Sequence, residues 1–177
     1  MDHDEKVKRQ RALLASLMTE LFQSERSAMK HPRREAERLG DTPPAQALRA
    51  ASEHAEQMQH ELSEVAKAND LSASRVGVVL GSIFSGLRQG IGDRLVDRER
   101  SYRGTLLGLR HGLDLMKMIQ KVADAAGLVE LGGLCTRWLE ERQALVTRVE
   151  QAMTWFATHP VVAAETPRLL RKVKVTA

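Results

Sequence analysis

Apolar positions along this chain return every three or four residues, the period of an α-helix with one face turned to a core. The stretch around which the rest is organised is Leu106 to Gly127, LLGLRHGLDLMKMIQKVADAAG. Leu106, Leu109, Leu113 and Met116 make one stripe. His111, Leu115, Met118 and Val122 make a second on another side, and Arg110, Asp114, Lys117 and Lys121 share the narrow face that is left. A helix that is apolar round so much of its circumference is predicted to pack on several sides. Gly104, Gly108 and Gly112 recur at i, i+4 and i+8, each about 1 kcal/mol worse than alanine in a helix interior. Their spacing predicts a close approach by another backbone, that of a neighbouring helix or of a partner.

The same period runs through the other segments. Residues 4–31 read as a first helix with Leu14, Leu17, Leu21 and Ala28 as its stripe, and Pro32 is expected to end or kink it. RREAERLG adds a last turn before Gly40, and DTPP is a turn. Residues 45–69 read as a second helix, with Leu48, Ala51, Ala55, Met58, Leu62 and Val65 inward. Residues 74–97, punctuated by Gly77, Gly81, Gly86 and Gly90, keep helical spacing through Val76, Leu80, Ile83, Leu87 and Ile91. The segment at Leu106 is the third long helix, starting near Arg98 or Ser101 and stopped by Gly127. The fourth covers about residues 130–157, with Leu131, Leu134, Trp138, Leu145, Val149, Ala152 and Phe156 inward. Val, Ile and Thr nowhere alternate with polar residues, which argues against a sheet. The expectation is an all-α, four-helix bundle with one extra crossover helix between the second and third long helices. It forms one domain over residues 1–158, followed by a basic, extended or mobile tail over 159–177.

Composition excludes several classes. The chain has 177 residues, 42% hydrophobic, enough for one real core. Cys135 is the only cysteine, so no internal disulfide and no cysteine-rich zinc site is available, and a reducing, cytoplasmic setting fits. No apolar run reaches the ~18 residues of a membrane span, and MDHDEKVKRQ reads as no secretory signal. The net charge of +4 is too weak by itself to argue for nucleic acid. The basic clusters Lys6 to Arg11, Lys30 to Arg34, and Arg168, Arg171, Lys172 and Lys174 in the tail lack interleaved aromatics, so base stacking has no support. There is no phosphate loop, dinucleotide fingerprint or nucleophile elbow.

Two charges fall where the pattern calls for apolar residues. Glu25 sits inside the stripe of the first helix, among Leu21, Phe22, Ala28 and Met29, and Arg142 sits at the centre of the stripe of the fourth. An unpaired charge facing a core is strongly unfavourable, so Glu25 and Arg142 are expected to pair inside the core or at its rim. His54 lies at the edge of the second stripe, with Glu53, Glu56, His60 and Glu61 spread over other faces. His111, on an apolar face, reads as a hydrogen-bonded core residue, and Cys135 as a small buried hydrophobe.

LFQSERSAM, ALRAASEHAEQMQHELSEVAKAN, LRHGLDLMKM with ADAAGL, and WLEERQALVTRV, in this order, resemble the helices of small bacterial ferritin-like proteins of unassigned, often stress-associated function. The likeness spans about residues 13–156. It implies the crossover topology, and Glu25 and His54 match positions that hold metal in that group. The pattern departs elsewhere. No Glu-x-x-His occurs; Gln57 stands where an acid follows the histidine; Gly112 or His111 stands near the third-helix carboxylate; and Arg142 stands where the fourth helix would give one. The expectation is therefore a ferritin-like bundle without a working di-metal centre, bearing no catalytic residue or cofactor. It would act as a homo-oligomer or by binding another protein, through the glycine-faced helices and the basic tail. The alternatives are an iron or manganese oxidase or storage protein using Glu25 and His54, and, more weakly, phosphate-backbone binding to DNA through the basic clusters.

Overall fold

The computed structural model of the chain describes residues 3–69, 71 and 97–166. The crossover segment 72–96 and the basic residues Arg168, Arg171, Lys172 and Lys174 lie outside them. The described residues are helical, with no strand: α1 His3–Leu39, α2 Pro43–Ala68, α3 Arg98–Ala125 and α4 Val129–Met153 are long, and a 3-10 turn at Thr154–Thr158 leads to the short α5, Pro160–Ala163. No described helix is long and apolar enough to cross a membrane.

Local chemistry places the ends. Thr42 caps α2, its side chain accepting from the Ala45 N–H at 3.4 Å, with prolines in the first turn. Asp97 caps α3 by accepting from the Arg100 N–H at 2.7 Å. Gly127 takes φ 70°, and the Leu128 and Gly127 N–H groups reach back to the Ala123 and Asp124 carbonyls, the double closure that a glycine in the left-handed region permits. Gly40, also at φ 70°, ends α1 with one bond to Ala36.

Pro32 does not end α1, the first of the two outcomes expected for it, and the turn expected before Gly40 is part of the same helix. The helix runs seven residues further, to Leu39. A proline inside a helix costs about 3 kcal/mol. Beyond it, however, Ala36 and Leu39 are buried in the core and Glu35 is held by Ser101 and Arg38, and these contacts exist only if the helix continues.

α1 packs beside α2 and α3, and α4 beside the same two. Every adjacent pair is antiparallel. α1 and α2 are joined through residues 40–42. The Ser101 hydroxyl of α3 donates to Glu35 at 2.7 Å near the end of α1, whereas His111 meets Glu20 further back. Tyr102 reaches the Val149 carbonyl, and Gln120 reaches Thr136, between α3 and α4. α2 and α3 therefore run parallel across the diagonal, and the connection between them joins opposite ends of the bundle. Leucines, methionines and alanines from all four helices fill the core. Ala45, Ala51 and Ala55 of α2 are buried small residues, and the Ser52 hydroxyl donates to the Met29 carbonyl of α1 at 2.6 Å.

Two expectations about α3 and one about the tail need correction. The first stripe is buried, but of the second only Leu115 is; Met118 is 51% exposed and points outward, as does Leu107, which belongs to neither stripe and is 60% exposed. Of the three α3 glycines, only Gly112 meets a neighbour, while among the described residues nothing lies within 4 Å of where a Cβ would stand at Gly104 or Gly108. Finally, the chain after His159 is folded as far as Glu165. The Arg98 N–H donates to the Glu165 carbonyl at 3.0 Å, and the two side chains pair at 2.6 Å.

Replacing Gly127 by alanine forces a side chain into the left-handed region and is expected to cost about 1–2 kcal/mol, with asparagine costing less. Urea denaturation of the two variants measures the difference.

Candidate functional site: a buried arginine centre

Arg142 has no exposed surface and Glu25 almost none. Both lie in the layer where the four helices face one another, because each occupies an inward position of an otherwise apolar stripe. Arg142 Nη2 donates to Glu25 Oε2 at 2.6 Å. Its Nε donates to His54 Nδ1 at 3.0 Å, and its guanidinium carbon lies 4.7 Å from the centre of the Trp138 ring, a cation–π geometry. His54 Nε2 in turn meets Glu141 Oε2 at 3.0 Å, with the imidazole edge-on to Trp138. One helical turn separates Trp138 from Arg142, so α4 supplies both the cation and the ring beneath it.

The direction of every bond in this chain is determined. An arginine Nε carries a hydrogen and only donates. His54 Nδ1 must therefore accept, which leaves the imidazole proton on Nε2, aimed at the Glu141 carboxylate. The order reads Glu25 ← Arg142 → His54 → Glu141, from the core to the half-exposed Glu141 side chain.

Burial pushes the Glu25 carboxyl above its ordinary range, against the opposing pull of the Arg142 guanidinium and, more weakly, the Trp138 indole. Burial likewise lowers the proton affinity of Arg142, with Glu25 acting the other way; a guanidinium keeps its charge regardless. His54 is held down to about 4, first by burial and then by the neighbouring guanidinium, with Glu141 and Glu61 opposing. A protonated His54 would turn an N–H against the Arg142 N–H. Burial also pushes the Cys135 thiol up to about 12, which leaves it inert.

The structure brings Glu25, His54 and Arg142 together. Gly112 joins them from α3: a Cβ there would lie 3.3 Å from Ser24 Oγ and 3.6 Å from Glu25 Oε1. Gly104 and Gly108 are elsewhere, on the exposed side of α3. His111 is half-exposed rather than in the core and faces Glu20 at 3.2 Å. Sequence reasoning did not find the bonds from His54 to Arg142 and Glu141, nor Trp138 as the ring under the cation. The i, i+4 spacing of Trp138 and Arg142 was the available signal.

A metal does not fit this arrangement. Glu25 Oε2 and His54 Nδ1, the lone pairs a cation would use, both accept from a guanidinium that would also repel it. Among the described residues no three His, Cys, Asp or Glu side chains are grouped so as to hold a metal ion. Comparison of the chain with protein-family models, with curated proteins and with solved structures finds no match.

Removing Arg142 alone leaves a buried carboxylate without its counter-charge, so Arg142→Met is expected to lose about 3–5 kcal/mol. Glu25→Leu combined with Arg142→Met should be more stable than Arg142→Met alone, because the stranded charge is gone. Denaturant midpoints of the single and double variants check this.

His54 also makes stability depend on pH. Its folded value, about 4, lies below the ordinary 6.5, so between these values the unfolded chain binds more protons. The contribution is complete above pH 6.5 and is lost as pH falls towards 4. His54→Asn keeps an acceptor near Nδ1 but does not titrate. Between pH 7 and 4.5 the wild type should lose about 2 kcal/mol more than this variant; equal losses in parallel urea titrations would count against the assignment.

Proposed function

We propose that this chain is a ferritin-like bundle that works by association, with the Arg142 guanidinium at its centre in place of a metal pair. The observation that carries this reading is the capture of Glu25 and His54 by Arg142. The helix order supports it too: antiparallel neighbours and one long connection between the second and third helices are the plan of ferritin-like bundles. With no free ligand set among the described residues and an inert thiol, the chemistry described points away from catalysis and towards a scaffold.

The outward side of α3 supports association. Leu107 and Met118 stand exposed on the side of α3 that carries Gly104 and Gly108, with His111 and Asp114 between them, and the glycines leave room there for another helix to approach closely. The partner is a second copy or another protein in a reducing compartment such as the cytoplasm. Binding to phosphate is the weaker reading: of the first two basic clusters Arg9 and Arg33 already pair with carboxylates, and no interleaved aromatics offer a stacking surface.

Light scattering on the full chain tests the proposal. The expected mass is a multiple of 19.7 kDa, and Leu107→Asp with Met118→Asp should lower it without loss of helix. An unchanged mass in that variant would remove the α3 face from the interface. Metal analysis after loading with iron or manganese is expected to find only substoichiometric metal; one or two ions per chain would restore the oxidase or storage reading.

A further inference from the structure

The side of α3 turned away from the core carries its charges and apolar residues in a particular order. Gly104, Leu107, His111, Asp114, Met118 and Lys121 follow one another in steps of three and four, so they share one seam along the helix. Each is exposed or half-exposed. The middle of the seam lies between His111 and Asp114. Outward from it come an imidazole on one side and a carboxylate on the other, then Leu107 and Met118, then Gly104 and Lys121. Two such helices laid antiparallel, with a two-fold axis through that middle, set unlike beside unlike. His111 meets Asp114 of the second copy, and Leu107 meets its Met118. Lys121 lies across its Gly104, where among the described residues nothing within 4 Å obstructs the long stem. Each contact occurs twice, as a two-fold interface requires. Parallel helices in register would instead set Asp114 against Asp114 and Lys121 against Lys121.

We propose that the occupant of this face is a second copy of the chain, packed antiparallel, α3 against α3, with a His111–Asp114 pair on each side of the two-fold axis. Within its own chain His111 faces Glu20 at 3.2 Å, so Asp114 of the second copy brings a second carboxylate to the same imidazole. Asp114 has only the exposed Lys117 beside it, at 3.6 Å, and keeps room for a further donor. Arg100 of each copy comes to the C-terminal end of the other α3, whose last turn holds no basic residue of its own; a cation there meets the negative end of the helix dipole. Exposed ion pairs contribute little affinity each. Covering Leu107 and Met118 drives the contact, and the charges choose the partner and its direction. The inference rests on the reading that α3 is the associating face, and it names what associates there.

Exchanging the charges in the full chain tests it by sedimentation. The wild type is expected at twice 19.7 kDa. His111→Asp sets carboxylate against carboxylate, and Asp114→Arg sets a guanidinium against the imidazole. Each variant alone should dimerise about tenfold more weakly or worse, with unchanged helix content. Mixed in equal amounts, the two should form a heterodimer. The new carboxylate of one then faces the new guanidinium of the other, and one native His111–Asp114 pair remains. Dimers that persist in both variants, or no heterodimer on mixing, would overturn the pairing, while association through α3 would still be judged by the Leu107 and Met118 variant. A wild type of 19.7 kDa would overturn the second copy as occupant and leave the face to another protein or another part of the chain. Cysteine exchange reads the direction independently of the charges. On mild oxidation Leu107→Cys mixed with Met118→Cys should give the mixed disulfide in preference to either homodisulfide, and the reverse preference would overturn the antiparallel arrangement.

Discussion

A guanidinium with no access to solvent must find its counter-charge and its acceptors inside the fold, and most of what is specific to this bundle follows from that requirement at Arg142. Glu25 supplies the charge from α1, His54 the neutral acceptor from α2, Trp138 the ring from α4, and Gly112 the close approach of α3. Leucines and alanines tolerate sliding past one another; a buried ion pair does not, because one residue of slippage strands both charges. Buried ions are weak evidence for net stability, and their better-attested role is to set register. In this fold the arginine centre is the natural device for setting the relative heights of α1, α2 and α4.

The centre is also polarised. Each hydrogen bond points away from Arg142, so its positive charge is shared inward with Glu25 and, through a neutral imidazole, outward towards Glu141. The same lone pairs cannot serve a metal, since they are already turned to N–H groups. What remains for interaction with other molecules is surface, and the outward side of α3 is unusual in combining exposed Leu107 and Met118 with glycines that no neighbouring helix touches. A helix carries that combination at a cost in both propensity and solvation, which is why the proposed association is placed on this face.

Much of this was legible in the chain alone. Helical periodicity located the four long helices, since burial of one stripe is a local property of spacing. The inward positions of Glu25 and Arg142 were legible for the same reason: a charge amid leucines stands out whatever the fold. The bounds of α1 were not, because Pro32 is a local stop signal and the contacts of Ala36, Leu39 and Glu35 that carry the helix past it are long-range. Gly104 and Gly108 were misplaced against a neighbouring helix because spacing tells which residues share a face, but not what that face meets.

The sequence by itself determined an all-helical chain of bundle-forming segments, with two charges that had to be reconciled inside it. Only the tertiary structure decided how. It put His54 of α2 and Arg142 of α4 at 3.0 Å across 88 residues of sequence, and it turned the imidazole so that its Nε2–H faces the Glu141 carboxylate. It also set Gly112, rather than the other two glycines, against the ion pair. Periodicity encodes which way a side chain faces along its own helix; the pairing of helices and their relative heights depend on contacts between segments far apart in the chain, and those are settled only when all four helices share one core.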